Sequence, residues 1–452
     1  MSDCVEVLFA SDDNGQQFST KCFDPHIGGT TLMTYKGGGA VKSKTLSLIG
    51  KDYLISANLN KPVLHVWPLN SQEPVSRLKM VMPGKVTALS VSPEGNYCIA
   101  GIDGKIYIWE ISSGVLLNVL SRHYQAINKI IFTDDSSHFI TCGEDASVFV
   151  WRLSNAISAQ TGNVFRESTS NIQPVFSFTR HHLPVTDIFL GRGNMKGRLF
   201  TVSTDNTCKV YSLQDGCFLL SIIFDHALTA VVTNSIETHL FVGTDSGKIQ
   251  QFVLEPYPRT LEHHISESGQ EQLFFNGHEQ SVTCLSTSVD GHTLGSGSKD
   301  GKIMLWDIPS RQMMKVLEMK GPITNIFFTF ASQNIFASQL TPSLIINNFE
   351  RVSDPERNDI ELNIFDEVSC EEIDYDRLFE SKGKGERNTG FGNEEEMSNL
   401  KQEIAKLKQV NKQLYEFAMD KIISNPLALG KAEGNSILMS AKKKRAEREN
   451  GE

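Results

Sequence analysis

The sequence lacks the cysteine spacing of a disulfide framework or a zinc site. It contains eight cysteines, but no two of them form a C-x-x-C pair. Several stand instead in apolar runs such as Phe139-Ile140-Thr141-Cys142, where a free thiol behaves as a small hydrophobic side chain. The pattern predicts buried free thiols in a reducing compartment.

A secretion signal and an uninterrupted apolar span are missing too. Met1-Ser2-Asp3-Cys4 has neither the basic start nor the apolar core of a signal peptide. Residues 321–349 carry no charge, but polar residues and Pro342 interrupt them repeatedly. Since a transmembrane helix needs about 20 apolar residues, this stretch is predicted to form two or three buried strands with turns, and no membrane span is expected.

Signatures of catalysis are equally scarce. There is no Gly-x-Ser-x-Gly elbow, no His-Glu-x-x-His pair and no phosphate-binding Gly-Lys-Ser/Thr loop. The glycines of residues 191–197 match a dinucleotide loop only loosely, because they fall between two predicted strands. His181-His182 and His263-His264 have no carboxylates or cysteines at metal-ligand spacing. The chain is therefore predicted to be no enzyme and to need no cofactor or metal.

An excess of positive charge is also absent. The formal net charge is −10, and in residues 351–396 alone 15 Asp and Glu outnumber six Lys and Arg. The rest of the chain is close to neutral. This distribution argues against the broad basic surface of a general nucleic-acid binder.

What the sequence does contain is a repeat. One unit runs from Gly277-His278 through the apolar runs 281–286 and 293–298 to Trp306-Asp307, with Lys299-Asp300-Gly301 as a turn. This is the Gly-His to Trp-Asp pattern of a WD repeat. In that family a histidine, a strand serine, a turn aspartate and the tryptophan hydrogen-bond to one another. By resemblance the four are His278, Ser296 or Ser298, Asp300 and Trp306, a structural network and not a catalytic triad.

Weaker copies recur about every 40–50 residues, and the expected fold is an all-β, seven-bladed WD-repeat propeller over residues 1–350. Two copies run from His123 to Trp151 and from His182 to Asp205 and Tyr211, and only the unit of Trp306 is expected to have all four network residues. The last copy is expected to pair Ile323–Phe328 with Leu344–Phe349. All four tryptophans, Trp67, Trp109, Trp151 and Trp306, fall at the same repeat position.

The N-terminal runs 5–10, 18–23 and 31–35 have the pattern of outer strands without an inner one. They are expected to close the ring against the last blade, which would leave no exposed edge there. An eighth, incomplete blade is the alternative. The polar insertions 154–174 and 255–275 are expected to be surface loops that contact partners.

The last hundred residues follow different rules. Residues 351–396 are predicted to be an acidic flexible linker, with Ile360–Phe365 and Tyr375–Phe379 as segments that could instead dock on the propeller or a partner. Residues 397–423 are predicted to form a coiled-coil helix. Its seam residues are Met397, Leu400, Ile404, Leu407, Asn411, Leu414 and Ala418, with Phe417 beside them.

The polar Asn411 at an inner position is typical of a parallel dimer, and a homodimer or partner coiled coil is weighed against a single helix folded back on the propeller. Residues 424–452 are expected to be a disordered tail. Its basic run Lys442-Lys443-Lys444-Arg445 is interpreted as a nuclear localisation signal, a nucleic-acid contact or simply solvated charge.

The order of these features resembles the WD repeat-containing protein 18 family and its fungal counterparts. The Gly-His to Trp-Asp motif is generic to WD repeats. More specific are Ser121-Arg122-His123-Tyr124-Gln125 and the helical tail at Leu407–Phe417. The linker, both insertions and the basic tail match poorly.

The resemblance implies a non-catalytic scaffold of a rixosome-type nuclear complex, found in nucleolus and nucleoplasm with some cytoplasmic protein. Its implied partners are a helical-repeat scaffold subunit, an AAA-type remodelling ATPase and the large-subunit pre-ribosome, whose internal transcribed spacer the complex helps to remove. Direct RNA contact stays open. The alternative function is a substrate-recognition subunit of a ubiquitin ligase or a cytoskeletal adaptor.

Overall fold

The β-branched and aromatic runs of the repeats form strands that fold into seven sheets. The structure is a computed structural model that describes residues 5–15, 18–26, 29–158, 172–255, 260–265, 273–340 and 342–352. These residues form 29 strands, two short α-helices and one 3₁₀ turn at Asn194–Lys196. The predicted linker after Val352, the predicted helix 397–423 and the predicted tail 424–452 lie outside the described residues.

The sheets are the blades of a ring, and the strands of each blade follow one another from the innermost outwards. The chain begins with β1 (Glu6–Asp12), β2 (Phe18–Phe23) and β3 (Thr31–Lys36). Blade 1 has β4 (Ser47–Ile49), β5 (Tyr53–Ala57), β6 (Val63–Pro68) and β7 (Met80–Val81). Blade 2 has β8 (Val86–Val91), β9 (Tyr97–Ile102), β10 (Lys105–Glu110) and β11 (Leu116–Ser121). Blade 3 has β12 (Ile127–Phe132), β13 (His138–Gly143), β14 (Val148–Arg152) and, after helix α1 (Leu153–Ser158), β15 (Phe176–Phe178).

The second half of the ring repeats the plan. Blade 4 has β16 (Val185–Leu190), β17 (Arg198–Ser203), β18 (Thr207–Ser212) and β19 (Phe218–Ile223). Blade 5 has β20 (Leu228–Thr233), β21 (His239–Thr244), β22 (Ile249–Val253) and, after β23 (Glu262–His264), β24 (Leu273–Phe275). Blade 6 has β25 (Val282–Thr287), β26 (Thr293–Ser298), β27 (Lys302–Asp307) and β28 (Met313–Glu318). Blade 7 begins at β29 (Ile323–Phe330), and helix α2 (Gln333–Phe336) follows it.

The N-terminus closes the ring, as predicted. Strand β1 pairs antiparallel with β29, so that Leu8 faces Phe328 and Phe9 faces Phe327, and β2 and β3 complete blade 7 outwards. Seven blades are confirmed, and the alternative of an eighth finds no sheet among the described residues. Because the first and last strands share one sheet, opening the ring requires breaking a continuous hydrogen-bonded ladder.

One predicted strand is wrong. Leu344–Phe349 was expected to be a strand of the last blade, but β2 occupies that place, and residues 342–352 instead form an irregular strap across blades 1 and 2. Leu344 packs on Gly50 and Gly95, and Phe349 stacks on Trp109 at 5.4 Å between ring centroids. The charge-free stretch is therefore one strand, one short helix and the strap.

The two insertions are also more than surface loops where the structure describes them. Leu153 and Ala156 of α1 are buried against the outer strand of blade 2. In the second insertion β24 is the outer strand of blade 5, while β23 pairs parallel with β19 as a fifth strand of blade 4. Polar composition concealed these short pairing segments.

A belt of hydrogen bonds joins neighbouring inner strands. The second residue of the inner strand lies at a β-bulge in blades 2 to 7. Bulges re-aim side chains, and in blades 3 to 6 this side chain donates to the first residue of the next inner strand. These bonds are Asn128 to Val185, Thr186 to Leu228, Thr229 to Val282 and Thr283 to Ile323, at 2.8, 2.8, 2.5 and 2.6 Å.

The core lies between the blades. All four tryptophans occupy the third strand of their blades and are buried, as their shared repeat position predicts. Cys22, Cys98, Cys142, Cys208 and Cys284 are buried free thiols, whereas Cys217 is exposed. None of the helices in the described residues has the length and apolar character that a membrane crossing requires.

Candidate interaction face of the propeller

The four predicted network residues of blade 6 lie in one hydrogen-bonded chain. The Trp306 indole donates to Ser296 Oγ at 2.8 Å, Ser296 Oγ lies 2.8 Å from His278 Nε2, and His278 Nδ1 lies 2.9 Å from Asp300. Of the two candidate serines the structure therefore selects Ser296, since Ser298 donates to the Gln280 carbonyl. A carboxylate only accepts, so His278 Nδ1 carries a proton, and in the neutral imidazole that burial favours Nε2 accepts from the Ser296 hydroxyl.

A second complete chain lies in blade 3, which corrects the expectation of a single one. Trp151 donates to Thr141 Oγ1 at 3.1 Å, Thr141 lies 2.9 Å from His123 Nε2, and His123 Nδ1 lies 3.0 Å from Asp145. Threonine supplies the same hydroxyl as serine, so a search for serine misses it.

Blade 4 holds a truncated version, and its histidine is His181 and not the predicted His182. His181 lies 2.9 Å from Asp205 and 2.8 Å from Thr201, but Tyr211 stands where the other blades have tryptophan. The Tyr211 side chain is buried, and its hydroxyl has no hydrogen-bond partner among the described residues. The aromatic ring of Tyr211 lines a cavity of about 260 Å³ together with Phe176, Phe178 and Phe218.

Burial and hydrogen bonding set the pKa values of the network residues in blades 4 and 6. Burial lowers the pKa of His278 and His181, although their aspartate partners oppose the shift. Burial also disfavours a charged Asp205, but hydrogen bonds from His181 and Thr207 hold its pKa well below the usual range. The His278–Asp300 and His181–Asp205 pairs therefore rest as neutral histidine beside ionised aspartate.

The same aspartates position the face of the propeller. Each one accepts a second hydrogen bond from the backbone N–H of the residue after the histidine. The three N–H groups are those of Tyr124, His182 and Glu279, at 3.1, 3.2 and 3.3 Å. Because every inner strand starts at the same end of the ring, these residues lie on one face, which we call the histidine face. The side chain of Tyr124 is 90% exposed there.

A buried charge cluster spans the centre of the ring. Asp187 of β16 lies 2.8 Å from Lys129 Nζ of β12 and 3.4 Å from Lys44 Nζ, which precedes blade 1, and accepts from the Val231 N–H of β20 at 3.0 Å. Burial opposes its ionisation, but Lys129 and Lys44 hold the pKa of Asp187 below its ordinary value. One carboxylate thus ties blades 1, 3, 4 and 5 across the channel.

Sequence reasoning missed most of this framework. The belt has a local signal, an aliphatic residue followed by Thr or Asn at the start of an inner strand, as in Val185-Thr186 and Val282-Thr283. The channel cluster has none, because its members lie in three different repeats. No group of His, Cys, Asp and Glu in the described residues could hold a metal ion. The predicted helix residues 397–418 and the basic run 442–445 lie outside the described residues.

Comparison with known proteins agrees with this architecture. The pattern described as "WD domain, G-beta repeat" matches residues 76–110, 114–152 and 269–307, which include the third strands of blades 2, 3 and 6. WD repeat-containing protein 18 of Danio rerio is 35% identical over 433 residues, covering 92% of this chain and 98% of that protein. The chain belongs to the WD repeat-containing protein 18 family.

Other relatives extend the relationship. The Homo sapiens member of this family is 36% identical over 351 residues, covering 78% of this chain and 79% of that protein. Pre-rRNA-processing protein pro-1 of Caenorhabditis elegans is 29% identical over 335 residues, covering 72% of this chain and 61% of that protein. The resemblance noticed in the sequence is therefore confirmed.

Proposed function

We propose that this protein is a non-catalytic scaffold subunit of a nuclear complex that matures the large ribosomal subunit. The observation that carries the proposal is the relationship to a pre-rRNA-processing protein over 72% of the chain. The complex removes the internal transcribed spacer of the rRNA and recruits an AAA-type remodelling ATPase. The protein resides in nucleolus and nucleoplasm, with a cytoplasmic fraction.

The construction of the ring suits a scaffold. Belt, channel cluster and closing sheet hold blade 1 and blades 3 to 7 in fixed positions, so partners bound to these blades keep a fixed geometry. The exposed Tyr124 and half-exposed Leu183 lie on the histidine face without a role in the core. Tyrosine and arginine are enriched among the interface residues that contribute most of the binding energy between proteins. A helical-repeat scaffold subunit and the pre-ribosome are the partners we assign to the propeller.

We propose that the predicted helix of residues 397–423 determines how many copies of the chain the complex contains. Its seam would join two copies of the chain, as an isologous pair of parallel helices does. Replacing Leu400, Leu407 and Leu414 together by glutamate should turn a dimer into a monomer in multi-angle light scattering. Glutamates in place of the glutamines 402, 409 and 413, away from the predicted seam, add the same charge and are the matched control. Dimers that persist in the seam variant would disprove this role.

Nuclear import is assigned to Lys442, Lys443, Lys444 and Arg445. A fluorescent fusion with all four changed to alanine should lose its nuclear enrichment, and alanines at the nearby Glu447 and Glu449 should not have this effect. Nuclear signal that is unchanged in the fourfold variant would show that the run is solvated charge.

Depletion of the protein tests the main proposal. Cells without it should accumulate rRNA precursors that retain the internal transcribed spacer, and the full-length chain should reverse this. Cross-linking of complexes purified from nuclei should join the propeller to large-subunit assembly factors. Normal precursors, together with ligase or tubulin partners, would instead favour the recognition-subunit or cytoskeletal alternative.

A further inference from the structure

We propose that the histidine face of blades 2 to 4 binds single-stranded RNA, with Tyr124 as a base-stacking platform and Arg122 and Arg180 as phosphate contacts. The inference rests on the proposed function, since it names RNA as a ligand of the propeller. None of these exposed side chains belongs to the hydrogen-bond networks of the blades.

The loops that enter blades 3 and 4 carry the same order of side chains. Arg122-His123-Tyr124 and Arg180-His181-His182 each place an exposed arginine before the buried histidine and an exposed ring after it. The histidines belong to the blade networks, so they hold both loops rigidly. The buried Asp145 and Asp205 accept the N–H groups of Tyr124 and His182. The same order of side chains thus recurs at the entrances of two adjacent blades, although the arginines contact different strands: Arg122 lies over Phe149 of β14 and Arg180 over Phe218 of β19.

Each arginine also contacts an aromatic ring of the propeller. The Arg122 guanidinium lies 6.0 Å from the centroid of the Phe149 ring, and that of Arg180 lies 4.7 Å from Phe218. Such cation–π contacts are favourable even at exposed sites. They leave the N–H groups of the guanidinium available to an oxygen ligand, which it can bind in a bidentate manner.

Charge on this face is uneven. Lys85 and Lys105 of blade 2 are exposed at the same end of the ring as Arg122 and Arg180, against the exposed carboxylates of Asp103 and Glu144. Asp145 and Asp205 are taken up by their histidines and loops. The basic excess is local, which is compatible with a chain that is acidic overall.

Blade 6 provides an internal contrast. It has the same histidine, the same aspartate and the same backbone contact, but Gly277 precedes the histidine and Glu279 follows it. Glu279 lies 3.8 Å from Lys302. The histidine, the aspartate and the backbone contact therefore belong to the fold, while the arginines and rings are particular to blades 3 and 4.

These features favour single-stranded RNA over a duplex or a protein. Unpaired bases stack on exposed aromatic side chains, while arginines hold the backbone. A duplex would hide its bases from Tyr124. A protein ligand would have to be an acidic segment, and the test includes this outcome.

Binding is measured with the full-length protein and a fluorescein-labelled 12-nucleotide uridine oligomer, by anisotropy at several salt concentrations. Tyr124→Ala should weaken binding at least about fivefold without changing the salt dependence, because it removes stacking and no charge. Arg122→Ala with Arg180→Ala should weaken binding at least about tenfold and lower the salt slope by about 1.4, or about 0.7 per lost cation.

The matched controls are Glu279→Ala and Lys299→Ala of blade 6, which should leave affinity within about twofold. The four alanines at residues 442–445 form a second background, in which the effect of Tyr124→Ala should persist. The variants of the propeller change exposed side chains, and circular dichroism checks that every variant melts like the parent protein.

Two results would overturn the proposal: equal affinity of parent, Tyr124→Ala and the double arginine variant, or binding of a poly-glutamate peptide with the same variant dependence while the oligomer does not bind. Both leave the proposed function standing if depletion still causes precursors to accumulate. Normal precursors after depletion would remove the proposed function without touching the anisotropy result.

Discussion

Blades 3 and 6 and blades 1 and 2 satisfy the buried indole N–H of their tryptophan in different ways. In blades 3 and 6 the indole N–H of the third strand meets a hydroxyl of its own blade. In blade 1 the hydroxyl is present as Ser56 but has no hydrogen-bond partner among the described residues, and in blade 2 Ala100 takes its place. Trp67 donates to the Lys36 carbonyl at the end of β3, and Trp109 to the Glu350 carbonyl of the strap.

In blades 1, 2, 3 and 6 the common element is therefore the tryptophan and not the full network. A buried indole N–H must find an acceptor. Where the blade contains the histidine, hydroxyl and aspartate, the acceptor is internal. Where it does not, a segment from outside the blade supplies a carbonyl. Trp67 therefore depends on a residue 31 positions away in sequence, and Trp109 on one 241 positions away.

The largest expected effect comes from breaking an internal network. His278→Ala removes a hydrogen-bond partner from the Asp300 carboxylate and from the Ser296 hydroxyl that accepts from Trp306, so the free energy of unfolding should fall by about 3 kcal/mol. Urea denaturation followed by tryptophan fluorescence measures it. Glu279→Ala, one residue further on and exposed, should change the value by less than about 0.5 kcal/mol. Similar losses in both variants would mean that the network does not stabilise blade 6.

The second-largest effect on the free energy of unfolding is expected from a variant that releases the strap. Phe349 is buried against Trp109, and truncating such a ring in a core costs about 3–5 kcal/mol. We expect about 2 kcal/mol for Phe349→Ala, because the strap can detach while the ring stays closed. Hydrogen exchange should then rise in blades 1 and 2 and stay unchanged in blades 4 to 6. Ile345→Ala, at an exposed strap position, is the control, and uniform exchange across all blades would show that strap and ring unfold as one unit.

The contrast between the blades also shows which parts of the fold can be predicted from the sequence. Inner and third strands, the tryptophans and the closing N-terminus follow from apolar periodicity and turn residues, so they could be predicted. Thr141 escaped because the network needs a hydroxyl and not a particular residue. His181 and His182 are adjacent, and spacing does not show which ring turns inwards.

The strap could not be predicted for a different reason. The strap packs on glycines such as Gly50, Gly95 and Gly114. Such contacts require no periodic pattern of apolar residues within 342–352. The channel cluster likewise depends on Lys44 and Asp187, which are far apart in the sequence and meet only in the closed ring. Such pairs become visible only when the topology is known.

Acid should destabilise the blades in which burial lowers the pKa of a histidine, among them the network blades 4 and 6. Burial lowers the pKa of His278 and His181 in the folded state. As pH falls below the unfolded histidine value of about 6.5, the unfolded chain takes up protons first, so stability decreases with decreasing pH. Each histidine contributes at most about 1.4 kcal/mol per pH unit in that window. The lowered pKa values of Asp205 and Asp300 add a further loss below about pH 4.

Urea denaturation at pH 7.5, 6.5 and 5.5 measures this slope. In His278→Ala the slope between pH 6.5 and 5.5 should be shallower than in the parent protein. Exchange in blade 2, whose described residues include no histidine, should respond least, because in blade 1 burial also lowers the pKa of His65. A stability that rises on acidification would contradict the neutral state derived from the hydrogen bonds.

The smallest effect should come from the one network blade that lacks tryptophan. Tyr211 is 1% exposed, and its hydroxyl has no partner among the described residues. A buried hydroxyl without a hydrogen bond costs about 1–3 kcal/mol on mutational scales, so Tyr211→Phe should leave stability unchanged or raise it by up to about 1 kcal/mol. Trp306→Phe, which removes an indole bonded to Ser296, should instead lower it by about 2 kcal/mol. A clear loss in Tyr211→Phe would mean that the hydroxyl is satisfied, and blade 4 would then have to be grouped with the complete networks.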